Sequence, residues 1–106
     1  MLPSKIRIGC FDYDVIETDE VLLINNRACK GTISYDKHVI KLSKDDLSEQ
    51  SKEQTLWHEI VHGIINYRKI DIQKADLETA VDELAIGLYG LCKSNGLLPG
   101  QKVEKE

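Results

Sequence analysis

The sequence predicts an α+β domain: a small antiparallel sheet with a hairpin, packed on one long helix, and a second helix after it. Three patterns carry this reading. Apolar residues alternate in short runs over residues 1–45, the spacing turns helical over 51–68, and a second helical stripe occupies 76–94. No repeat, low-complexity tract or Pro/Gly-rich linker interrupts the 106 residues, which suffice for one domain with a single small core.

"KIRIGCFDYDVIE" alternates at Ile6 and Ile8, then at Tyr13 and Val15, and reads as one or two strands. In "EVLLINNRACKG" the run Val21 to Ile24 fits either a buried strand or a short helical turn. "GTISYDKHVIKLS" reads as a hairpin. With Asp36-Lys37 as its turn, Ile33 and Tyr35 share a face with His38, Ile40 and Leu42. "SKDDLSEQS" is a polar connector rich in helix-capping residues. In the first helix Leu56, Ile60 and Ile64 form one row, and Trp57, Val61 and Ile65 a parallel one. Such a helix is buried over much of its circumference, with Trp57 as a core anchor. "KIDIQKAD" breaks the pattern. Asp76 then caps a second helix whose core stripe is Leu77, Val81, Leu84, Leu88 and Leu91. Asn95-Gly96 ends it, and residues 100–106 form a solvated tail.

Composition narrows the function classes. A hydrophobic fraction of 42% and a charged fraction of 30% are those of an ordinary globular chain. The net charge is −4 and the lysines are scattered among acids, so no footprint for direct nucleic-acid binding is expected. No apolar run approaches the ~20 residues of a membrane span, and "MLPSKIRIG" lacks a secretory core, so a cytoplasmic protein without a membrane partner is expected. Cys10, Cys29 and Cys92 are odd in number and contain no CxxC pair, as reduced thiols would be.

The chemistry is concentrated in "TLWHEIVHGIINY", Thr55 to Tyr67. On a helix, His58 and His62 stand one turn, roughly 6 Å, apart on one face, so both imidazoles can reach a single ion. Glu59 is rotated about 100° from His58 and borders that ion without having to ligate it. There it can take a proton from water activated by the metal, which is why this spacing serves metal-assisted hydrolysis. Three polar side chains among isoleucines are costly to satisfy separately, and one cation with its water satisfies them together.

A catalytic zinc site needs a third protein ligand and an open position. The longer pattern HExxHxxGxxH is not met, because Ile65 and Arg68 stand where its glycine and last histidine would. The second helix opens "DLETAVDELA", with Glu78 and Asp82 one turn apart. Glu78 is expected to ligate while Asp82 accepts a hydrogen bond from a ligand imidazole. Asp82 as the ligand, with Glu78 outside it, is the main rival, and Glu83, Asp76 and Asp71 are weaker ones. As a transition-state stabiliser, Tyr89 falls within about 20° of the row of Asp82. Tyr35, Tyr67 and His38 share the suitable chemistry, although His38 on an apolar hairpin face reads as a core or edge histidine.

"TLWHEIVHG" followed by "ETAVDELAIGLYGL" resembles the small zincin-like metallopeptidases of the ImmA/IrrE type and related phage-encoded proteins. In those an HExxH helix precedes a second helix with a pattern close to ExxA(N/D)xFA, which Glu78, Val81, Asp82, Leu84 and Ala85 match here. Val81 and Leu84 replace the usual small and aromatic residues. The resemblance spans roughly Gly31 to Asn95 and implies a minimal zincin-like fold. It implies zinc on His58, His62 and Glu78, with Glu59 as general base. It also implies intracellular proteolysis, in a bacterial host or phage-infected cell, of a protein or peptide substrate such as a transcriptional repressor.

The expected function is therefore zinc-dependent peptide-bond hydrolysis. The alternative is a zinc-stabilised, non-catalytic interaction module of a phage or mobile element, in which the metal only holds two helices together.

Overall fold

The computed structural model describes residues 2–44 and 48–95. The expected tail at 100–106, Gly96 of the helix stop and part of the capping connector lie outside them. The first alternating stretch forms two strands, β1 (Lys5–Ile8) and β2 (Phe11–Thr18), paired antiparallel across a Gly9-Cys10 turn, with Ile8 opposite Phe11. The ambiguous stretch is a separate antiparallel ribbon of β3 (Leu22–Ile24) and β4 (Arg27–Cys29). Its turn is made by Asn25 and Asn26, both in the left-handed region at φ 52° and 64°. Asparagine tolerates that region better than other non-glycine residues, and two such residues match the twist of a tight hairpin.

β5 (Gly31–Ser34) and β6 (Val39–Ser43) form the expected hairpin, with Ile33 opposite Ile40 and Ser34 opposite Val39. That register centres the turn on Asp36-Lys37. The sheet itself is mixed rather than antiparallel, because β6 lies beside β2 and runs parallel to it, giving the order β1-β2-β6-β5. The chain can return in the same direction because residues 19–38 separate the two strands, enough for a crossover. Alternation of apolar residues specifies a face and is blind to direction. β5 is left at the sheet's edge, beside the β3–β4 ribbon.

α1 (Glu49–Arg68) starts at Ser48, whose side chain accepts from the Ser51 amide at 3.1 Å, and ends at Lys69 in the left-handed region. Its two apolar rows serve different layers. Leu56 and Ile60 pack on the sheet with Ile6, Ile8, Tyr13, Ile40 and Leu42, and Trp57 and Ile65 flank Val61 on the opposite side. Gly63 sets the approach to the sheet: a Cβ there would stand 2.7 Å from Ile8 Cδ1 and 3.2 Å from Ile33 Cδ1. Ile64, expected in the first row, is 39% exposed and stands outside the core.

α2 (Lys74–Ser94) packs Val81 and Ala85, with Leu77 and Leu88, against the Val61 side of α1. The layers are thus sheet, α1, α2. Two expectations about α2 are corrected. It starts at Gln73 without a side-chain cap, so Asp76 lies inside the first turn, where the positive end of the helix dipole favours its negative charge. Its buried stripe runs through Ala85, and Leu84 and Leu91 are 52% and 60% exposed. A helix covered by one neighbour buries a narrower stripe than the leucine spacing implied. No described helix is long and apolar enough to cross a membrane.

Candidate metal centre

With about 100° per residue, α1 divides into three sectors. Leu56 and Ile60 meet the sheet, Trp57 and Val61 meet α2, and His58 and His62 fall in the sector between α2 and the sheet's edge. Their rings lie one turn apart, with centroids 4.9 Å from each other and planes inclined by 64°. Glu78 reaches them from the first turns of α2. Its Oε1 is 3.4 Å from His58 Nε2 and its Oε2 3.1 Å from His62 Nε2. One donor atom from each of the three residues falls within 4.8 Å of the others, a group that could hold a metal ion.

The donor chemistry fits such an ion. Ligands at ~2.0–2.1 Å on a tetrahedral centre stand roughly 3.4 Å from each other, close to the separations seen. Burial pushes His62 below its ordinary imidazole range, with the His58 charge acting the same way and the Glu78 charge opposing. The ring is therefore neutral near pH 7, the form that ligates. Asp82, one turn beyond Glu78, places Oδ1 2.8 Å from His58 Nδ1. A hydrogen bond donated there by Nδ1–H would leave His58 Nε2 with its lone pair towards Glu78 and His62. The structure thus brings His58, His62 and Glu78 together and puts Asp82 behind His58. Glu83, Asp76 and Asp71 do not line the cleft onto which the group opens.

Glu59 lies in the same cleft and is only 5% exposed. Burial, then the nearby Glu78 charge, raises its carboxyl from 4.5 to about 7. A residue the sequence reading did not single out makes room for it. At Gly31, the first residue of β5, a Cβ would stand 3.3 Å from Glu59 Oε2 and 2.8 Å from Thr55 Cγ2. A glycine opening a strand signals close approach of another group, and that was the available clue.

The tyrosines are sorted by position along the fold. Tyr89 shares the angular row of Asp82 but lies seven residues on, about 10 Å down the axis. Its hydroxyl donates to Glu53 Oε1 at 3.1 Å, and it does not line the cleft. Tyr67 meets Cys10 Sγ at 3.2 Å, and His38 stacks on Phe11. Tyr35, just after β5, does line the cleft, and burial followed by the Glu59 charge raises its phenol. Glu53 was also overlooked. It is buried on α1, and Lys93 Nζ approaches the same oxygen at 3.5 Å. Its place seven residues before Ile60, in the apolar row, was the signal.

The cleft occupies about 1620 Å³ between the β3–β4 ribbon, the edge of β5 and the two helices. That exceeds the ~300–1,000 Å³ of small-molecule pockets. Compared with protein-family models, curated proteins and solved structures, the chain finds no match.

Proposed function

We propose that this chain is a zinc-dependent peptide hydrolase of minimal zincin-like fold, resembling the ImmA/IrrE type, that acts on an intracellular protein such as a transcriptional repressor. The observation that carries the reading is a grouping: the buried Glu59 carboxyl beside a three-donor group open to a large cleft.

His58, His62 and Glu78 would hold the ion, and Asp82 would orient His58. Zinc, when bound, supplies polarisation of the scissile carbonyl and acidification of the attacking water. Glu59 takes the proton from that water and passes it to the leaving amine. The carboxylate would accept in the first step and, once protonated, donate in the second, so one side chain serves both. Burial of Glu59 keeps competing water away from the transferred proton. The free edge of β5 offers backbone N–H and C=O groups to an extended substrate, which adds as a further strand. Tyr35, which follows that edge and lines the same cleft, would donate to the developing oxyanion.

One observation favours a second reading, a non-catalytic zinc-stabilised module. The His58–Glu78–His62 group ties α2 to α1 across an interface whose fully buried apolar residues, among those described, are Val61, Val81 and Ala85. Against it stands the donor count, since structural zinc fills its positions with four protein ligands.

Glu59→Gln separates the two. The hydrolase retains one zinc per chain and loses cleavage of a peptide library read by mass spectrometry. Undiminished cleavage in the variant, or wild-type protein that takes up no zinc, rejects the proposal.

A further inference from the structure

We propose that the cleft selects an extended polypeptide segment in which an apolar side chain is flanked by acidic ones. The substrate role of that segment rests on the hydrolase reading; its recognition rests on the walls of the cleft. On one wall the β3–β4 ribbon presents Leu23 and Ile24, 56% and 51% exposed, and on the other α2 presents Ile86, 49% exposed. A two-stranded ribbon is marginal in water by itself, and spending its side chains on exposed leucine and isoleucine beside an open cleft gives the protein an apolar surface to offer.

The charges around these residues give the occupant its sign. Arg27 on β4, Lys30 just before β5 and Lys74 at the start of α2 line the same cleft. None of the three pairs with a carboxylate among the described residues. Lys41, in contrast, is matched by Glu20 at 3.4 Å. Glu20, Glu78 and Asp82 also line the cleft, the first matched by Lys41 and the other two turned to the histidines. The charges left without a partner there among the described residues are therefore cations: Arg27, Lys30 and Lys74, with Lys37 beside them. Acidic side chains on either side of an apolar one would meet them as the backbone runs along β5. Basic flanks would meet like charge instead.

The test uses the zinc-loaded Glu59→Gln protein, so that binding is read without turnover. Three fluorescent peptides share an apolar centre and carry glutamate, glutamine or lysine flanks. Anisotropy is expected to show the glutamate peptide binding roughly ten-fold more tightly than the lysine one, with the gap narrowing at high salt. In the triple variant R27E/K30E/K74E the order reverses. L23S/I24S weakens the apolar-centred peptides and leaves the flank preference in place. Equal affinities across the three peptides overturn the proposal, as does a dimer whose formation blocks peptide binding, which would assign the cleft to a second copy. Cleavage decides the other question. Wild-type protein that digests denatured casein without flank preference keeps the hydrolase and rejects this selectivity. Flank-selective binding with no cleavage by the wild type keeps the selectivity and rejects the hydrolase.

Discussion

The two helices are nearly equal in length, 20 and 21 residues, and are held in quite different ways. α1 lies between the sheet and α2 and buries Leu56, Ile60 and Val61 on two sides. Among the described residues α2 packs mainly on α1, buries Val81 and Ala85, and leaves Leu84 and Leu91 more than half exposed. Two polar ties supplement that narrow stripe: Glu78 and Asp82 on the histidines near its start, and Tyr89 and Lys93 on Glu53 near its end. The three candidate donors and the proposed base are therefore split unequally. His58, Glu59 and His62 ride on the element the core holds, and Glu78 rides on the one the site itself helps to hold. Ligand binding and α2 docking are one equilibrium in such an arrangement.

The largest effect should come from attacking the firmly held side. Leu56 is fully buried between α1 and the sheet, and Leu56→Ala is expected to cost about 3 kcal/mol in urea unfolding, a large part of the stability of a small domain. Val81→Ala, in the α1–α2 layer, should cost about 2 kcal/mol. Chelation sharpens the contrast further. Removing the proposed zinc from loaded protein should raise amide exchange throughout α2 while leaving α1 and β6 protected, and Val81→Ala should exaggerate the difference. Uniform exchange across both helices would mean that α2 does not depend on the site.

Glu59 provides the next test, because its cost belongs to the firmly held helix. Its carboxyl is raised from 4.5 to about 7, so the folded state binds the proton more tightly than the unfolded chain. The stabilisation is complete below about 4.5 and is lost as pH rises through about 7. In chelator, wild type should therefore lose stability relative to Glu59→Gln between these limits, by on the order of 3 kcal/mol. A stability difference that stays flat with pH would place Glu59 in contact with water. Gly31→Ala should act at the same carboxylate and also crowd buried Leu42, 3.2 Å from the new Cβ, at a cost of about 1–2 kcal/mol in stability. Its Cβ would press on Glu59 and on Thr55, so cleavage is expected to fall roughly ten-fold while zinc stoichiometry is kept.

What could be read in the sequence follows the same division between local and distant order. The histidine pair four residues apart, the apolar rows of α1 and the hairpin centred on Asp36-Lys37 depend on neighbours in sequence, and each was visible. Asp82 beside Glu78 was visible for the same reason. The parallel pairing of β2 with β6 joins strands through a long connection, and alternation carries no direction. Tyr89 was favoured over Tyr35 because angular position on a helix can be counted, whereas height along the axis relative to another element cannot. Gly31 against Glu59 is a contact between a strand and a helix, and only assembly puts the two together. Leu84 and Leu91 misled for a related reason: leucine spacing gives a face, and how much of that face a neighbour covers is tertiary information.

That last point supports the smallest and most discriminating prediction. If α2 is covered only by α1, its outer leucines contribute nothing to packing that their replacement would remove. Leu84→Gln and Leu91→Gln keep helix propensity, change no buried contact and should each alter stability by less than about 0.5 kcal/mol. Set beside about 2 kcal/mol for Val81→Ala, four residues from Ala85 on the covered stripe, that near-zero value measures how narrow the stripe is. A loss above ~1 kcal/mol at either leucine would require a partner on the outer face of α2. The helix would then be held from both sides as α1 is, and the coupling of zinc to its docking would weaken accordingly.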